Sequence, residues 1–214
     1  KKLDAHRTLR KLTSEQALEA FLLSVKHDVP FSYTLEDLLT RTASTYRPLR
    51  RPREAAFIRE LLGLHRGVAL AIQKMNEVGL LSQWIPEWKG LVAFFQHNQY
   101  HFYTADEHTL IALANAEGLS GQKSPMGDIF RALPRRDTLY LAALCHDIAK
   151  PIRIGDHEII GVDVARAILT RLHYTDVLDD VAFLVRHHLL MEQIAFRRNL
   201  ADPQTILDFT KQVG

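Results

Sequence analysis

A chain of 214 residues is long enough for one large domain, or one domain with an arm. Hydrophobic residues at 47% supply a sizeable core, and a formal net charge of +2 lacks the basic excess of a general nucleic-acid binder. The single cysteine, Cys145, excludes an internal disulfide framework and fits a reducing cytosol, while no apolar run reaches transmembrane length and the N-terminus has no apolar signal core.

Thr13 and Gln16 have the spacing of a capping box, which predicts a helix over 13–27 with Ala17, Leu18, Phe21, Leu22 and Val25 on one face. Asp28, Pro30 and Ser32 interrupt it. Thr34 and Asp37 can cap a short second helix carrying Leu35, Leu38 and Leu39. The run RPLRRPR at 47–53 cannot continue a helix through its prolines, so it is a linker or bend. Its arginines are either solvated or contact a phosphate or an acidic partner. Pro52 suits the first turn of a helix running to about His65, with Ala56, Phe57, Leu61 and Leu62 inward. Another helix spans 67–78 and stops at Gly79. The aromatic-rich stretch that follows is broken at Pro86, with a helix expected around 90–97.

Thr104 and Glu107 form a second capping box, opening a helix at Ala105 that carries His108 in its first turn and stops at Gly118. Residues 118–128 read as a loop and 129–133 as a short helical piece. Asp137 can cap an apolar helix that delivers His146 and Asp147 to its own end. A helix over 157–173 presents Ile160, Val164, Ile168 and Leu172, and another over 175–190 carries Val177, Val181, Leu184, Val185 and His188. Asp202 with Pro203 starts a last helix supported by Ile206, Leu207 and Phe209. No stretch alternates as a strand does, so the fold class is all-α.

Of eleven histidines, His97, His101, His108, His146, His157, His173, His187 and His188 fall between residues 97 and 188. Consecutive helices offer ligand-type residues near their ends: His108, then His146 with Asp147, then His157, then His187 with His188. Helices of a bundle can converge such residues on one point. Imidazole with carboxylate suits first-row divalent metals, and a carboxylate between two imidazole sets can bridge two metals about 3.5–4 Å apart, an arrangement that hydrolyses phosphate esters. His97 and His101 border this group as candidates for substrate contact. His6, His27, His65 and His173 have no such context.

The motif HDIAK at 146–150, with His108 upstream and His157 and His187–His188 downstream, resembles the HD superfamily of metal-dependent phosphohydrolases. YHFYTADEHTL (100–110), LAALCHDIAK (141–150), GDHEIIG (155–161), VRHHLLM (185–191) and RRNLADPQTI (197–206) resemble more closely the HD domain of the bifunctional PII-protein uridylyltransferase/uridylyl-removing enzymes. The resemblance implies an HD helical bundle at 67–214 behind an N-terminal helical arm at 1–66. It implies hydrolytic removal of UMP from uridylylated PII protein in nitrogen regulation, in the cytoplasm, without a membrane or nucleic-acid partner. By the same resemblance, His108, His146 and Asp147 hold a first metal, and His157, His187 and His188 a second. Asp147 and Lys150 serve catalysis, and Lys150, Arg197 and Arg198 meet the substrate phosphate. Mg or Mn is the expected cofactor, with Fe or Zn as further options. The superfamily's last aspartate ligand is expected beyond Gly214, which leaves the HD domain incomplete at its C-terminal end. Asp208 and Asp202 do not sit in its motif. Two alternatives stay open: an HD phosphohydrolase of free or cyclic nucleotides, and a non-catalytic PII-binding module. No nucleotidyltransferase signature is present.

Overall fold

The computed structural model describes residues 1–6, 8–95 and 103–214. Their elements in order are α1 (Ser14–His27), α2 (Tyr33–Thr42), α3 (Pro52–Leu62), α4 (Val68–Glu77), α5 (Leu81–Trp84), α6 (Ala105–Gly118), α7 (Pro125–Ala132), α8 (Arg136–Cys145), α9 (His157–Arg171), α10 (Leu178–His187), α11 (Leu190–Arg197) and α12 (Pro203–Val213). Among the described residues no strand forms, and Leu3 and Phe31 make one isolated parallel bridge. The all-α expectation holds.

The capping signals are realised where the side chain has nothing better to do. Thr13 Oγ1 accepts from Gln16 N at 3.2 Å and Gln16 returns the bond to Thr13 N at 3.0 Å. Asp202 accepts from Gln204 N at the start of α12. The cap of α2 is Ser32, whose hydroxyl accepts from Leu35 N, so Thr34 lies inside the helix. Asp137 is not a cap either. It is buried in the first turn of α8 and holds the Arg135 guanidinium at 2.7 and 2.9 Å.

Tertiary demands shift other elements. In α3, Glu54 turns inward to accept from Arg50 N and Arg51 N, both at 3.0 Å. This puts Ala55 and Ile58 in the core and leaves Ala56 exposed, with Phe57 partly buried against the core. The helix expected around 90–97 does not form over its described part. A 3-10 turn covers Pro86–Gly90, and Ala93 adopts a left-handed φ of 56° while its N–H donates to Asp106. The expected loop at 118–128 already contains the start of α7, capped by Ser124. The segment 175–190 is a 3-10 turn, Thr175–Val177, then α10, with α11 following after His188.

One buried apolar cluster runs from Leu12 to Val185, so helices on both sides of residue 66 share a core. Phe21 of α1 packs edge-on against Phe31 and Trp84, at 4.9 and 6.2 Å between ring centroids. Arg171 of α9 clamps Glu87 with two 2.7 Å bonds, tying the 3-10 turn to the helix that opens at His157. α9 and α10 pack closely because Gly161 has no side chain: a Cβ there would lie 3.2 Å from Val185 Cγ1. Replacing Phe21 by Ala leaves a cavity in this shared core. The expected loss is about 3–5 kcal/mol, read as a lower urea midpoint in which far-ultraviolet ellipticity and tryptophan emission move together.

Candidate metal centre

Three helix ends meet at one pole of the bundle. His146 is the C-cap of α8, His157 the first residue of α9, and His188 the C-cap of α10. His108, from the first turn of α6, completes the approach. At their centre is Asp147, 1% exposed.

The carboxylate divides its surroundings in two. Oδ2 faces His146 Nε2 at 3.2 Å, His108 Nε2 at 3.8 Å and Lys150 Nζ at 2.6 Å. Oδ1 faces His157 Nε2 at 3.3 Å and His188 Nε2 at 3.7 Å. Lys150 makes an ion pair with Oδ2, whereas the imidazole contacts are ionic only when a ring is protonated, and neither oxygen has a well-aligned hydrogen bond. Burial would raise the Asp147 carboxyl, but His146, His157 and the Lys150 charge outweigh it and hold the group far below the usual carboxylate range.

Each inner histidine is oriented in the same way. Nδ1 of His146, His157 and His188 lies 2.7, 2.8 and 2.8 Å from the carbonyls of Ala143, Ile154 and Val185. A carbonyl only accepts, so Nδ1 carries the proton, and a neutral ring then presents Nε2 as a lone pair. His157 Nε2 and His188 Nε2 stand 3.3 Å apart. Two lone pairs and a carboxylate oxygen at that range repel unless a cation or a shared proton lies among them. The neighbouring Asp147 raises His157, whereas burial lowers His188.

The donors form two groups that share Asp147: His108, His146 and Asp147, and Asp147, His157 and His188. Within each group the donor atoms lie within 4.8 Å of one another. The residues fit a divalent cation: buried, acceptor-only atoms converge, and their backbone partners fix the ring tautomers. Cys145, one residue before His146, joins neither donor group, and burial pushes its thiol up to about 12.

The other expected residues lie apart. His187 packs against Phe183 with ring centroids 4.7 Å apart and enters neither donor group, since one helical residue turns the side chain by about 100°. Arg197 and Arg198 line a cavity of about 640 Å³ between α11 and α12, where Arg198 pairs with Asp208 at 3.0 Å. Asp208 also accepts from Gln204, and among the described residues neither it nor Asp202 joins a donor group. His97 and His101 lie outside the described residues.

Some positioning residues gave little sign of themselves in sequence. Buried Asp106 accepts from Thr104 Oγ1 at 2.7 Å, Ala93 N at 3.2 Å and Asn76 Nδ2 at 3.3 Å, and Asn76 in turn accepts from Trp88 Nε1 at 2.8 Å. This network pins the start of α6 and so places His108. The one available signal was a second acid beside a capping box. Glu158 stands 3.8 Å from both His157 Nδ1 and Arg186. Its adjacency to His157 was visible, but its pairing across to α10 was not.

Comparison with known proteins bears on this geometry. The model of the HD domain matches residues 105–212, a span that includes every member of the two donor groups. The chain belongs to the HD domain family. Membership supports metal-dependent phosphohydrolase activity. A bifunctional uridylyltransferase/uridylyl-removing enzyme of Ruegeria pomeroyi is 40% identical over 172 residues, covering 77% of this chain and 19% of that protein. Proteins of the same name match at 36% identity in Rhodospirillum rubrum and 35% in Azospirillum brasilense, covering 91% and 92% of this chain and 22% of each relative. The chain thus spans about a fifth of the length of the curated relatives it matches.

Asp106→Ala removes the acceptor that Thr104, Ala93 and Asn76 share. The expected result is a stability loss of about 1–3 kcal/mol together with weaker Mn²⁺ binding in calorimetric titration. Ile111→Ala, on an exposed face of the same helix, should change neither.

Proposed function

We propose that this chain is a uridylyl-removing module, which hydrolyses the phosphodiester joining UMP to a tyrosine of the PII signalling protein. The observation that carries the reading is the facing of His157 Nε2, His188 Nε2 and Asp147 Oδ1, with His108 and His146 on the opposite oxygen. The substrate is taken from the motif resemblance and from the names of the relatives.

His108, His146 and Asp147 would hold one divalent ion, and Asp147, His157 and His188 a second, with His187 left out of the set. A donor set rich in imidazole favours Mn, Fe or Zn over Mg, which prefers oxygen ligands. Divalent metal there supplies positive charge against the phosphoryl oxygens and makes water easier to deprotonate. Asp147 then shares its charge between both groups, and the three Nδ1–H bonds keep the Nε2 atoms aimed inward. Lys150, with its ammonium already at the carboxylate, is placed to neutralise a non-bridging phosphoryl oxygen. In the reaction, water oxygen bonds to phosphorus and the bond from phosphorus to the tyrosine oxygen breaks. The leaving phenol has a pKa of about 10, so phenolate departs without a strong general acid at its oxygen. The products are UMP and unmodified tyrosine. Among the described residues no helix is long and apolar enough to cross a membrane. A cytoplasmic setting for the reaction accords with the single buried thiol.

The test is release of UMP from uridylylated PII protein with Mn²⁺ supplied. Asp147→Asn should lower the rate at least about 100-fold, and Lys150→Gln about 10–100-fold, as expected for lost charge stabilisation. His187→Gln should stay near the parent rate. Turnover unchanged by Asp147→Asn would refute the proposal.

A further inference from the structure

The helices that hold the candidate metal centre have a second end. α9 contains 15 residues, so its length is about 22 Å at 1.5 Å per residue. It leaves His157 at the metal pole and ends at Arg171. There it meets the start of α10, through Arg166 and Asp179 at 2.7 Å. Asp176, just before α10, binds both Arg59 of α3 and Arg135 at the start of α8, at 2.9 and 2.8 Å. The same corner receives the RPLRRPR bend, since the His173 ring lies 2.9 Å from the Arg50 carbonyl.

A shallow, open depression of about 540 Å³ lies at this corner, lined by Arg50, Arg166, Ala167, Thr170, Arg171 and His173. Three arginines, a histidine and a threonine line it, and none of the lining residues is an acid. The nearby acids are already committed: Glu87 accepts two bonds from Arg171, and Asp179 one from Arg166. Arg50 makes no ion pair among the described residues, and the buried Nε–H of Arg171 has no partner. Because the Arg50 carbonyl accepts, His173 Nε2 carries the hydrogen, and its backbone is held at a left-handed φ of 57° with its own carbonyl accepting from Arg59 Nη2 at 3.1 Å. The imidazole is therefore fixed at the rim by contacts on two sides.

We propose that this corner is a second, non-catalytic anion site that binds a phosphate group carrying two negative charges. Forked guanidinium donors match the paired oxygens of phosphate. Among the described lining residues Arg50 has no ion pair, and the unpartnered Nε–H of Arg171 adds a second donor. The absence of aromatic side chains from the lining disfavours a stacked nucleic-acid base. The site stands at the opposite end of α9 from His157, so it is separate from the metal-centred chemistry.

The test is titration of the metal-stripped 214-residue chain with inorganic phosphate and, in a parallel arm, with UMP, at constant ionic strength. Binding is followed by the ring resonances of His173 and by the arginine Nε–H resonances. Saturable shifts at His173 and Arg171 with either ligand support the site. Response to phosphate alone identifies the free ion as occupant, and response to both identifies the phosphate monoester group. The paired substitution Arg50→Gln with Arg166→Gln should weaken binding at least about tenfold, as expected for two lost charge-assisted contacts, whereas Arg197→Gln should leave it unchanged. Arg50→Gln alone, which removes no ion pair, serves as the check against misfolding and should weaken binding severalfold. No saturable shift, shifts confined to His146, His157 and His188, unaltered affinity in the paired variant, or tighter binding of poly-aspartate or an oligonucleotide at the same residues would each overturn the proposal.

Discussion

A carboxylate buried to 1% exposure among imidazole nitrogens is the constraint on which this molecule turns. Burial alone would favour the neutral form of Asp147, but Lys150 and any protonated neighbouring imidazole favour the ionised one. Neither oxygen has a hydrogen bond of good geometry, and Oδ1 faces the Nε2 atoms of His157 and His188. A buried charge of this kind is costly unless cations complete it. Lys150 provides one positive charge on the Oδ2 side, and on the Oδ1 side two Nε2 atoms remain face to face. The arrangement makes sense as a cradle whose electrostatics are finished by divalent metal.

The rest of the fold serves to keep that cradle rigid. Each inner imidazole is pinned by a carbonyl three residues earlier, so ring orientation is set by the helix end itself. Gly161 lets α9 and α10 approach, which brings His157 to His188. The Asp106–Asn76–Trp88 network fixes α6 and therefore His108, and it reaches into α4 and the aromatic turn. The apolar faces of the N-terminal helices belong to the same core as the helices of the candidate metal centre.

Much of this was legible from residues alone. The capping boxes at Thr13 and Thr104 marked helix starts to the residue, because the pattern uses only local atoms. The order His108, His146–Asp147, His157, His187–His188 announced a convergent set of ligand-type residues, because each stands near a helix end. Features decided by distant partners were not legible. Glu54 rotated the buried face of α3, Asp137 went to Arg135 instead of capping α8, and Ala93 turned left-handed where it meets Asp106. His187 and His188 were indistinguishable in sequence. Only the phase of α10 turned one toward Asp147 and the other onto Phe183.

Anomalous diffraction from crystals grown with Mn²⁺ tests the central claim most directly. The account predicts a peak enclosed by Asp147, His157 and His188, and a second enclosed by His108, His146 and Asp147, with His187 remote from both. A cluster without anomalous density at saturating Mn²⁺, with Lys150 still against Asp147, would contradict it.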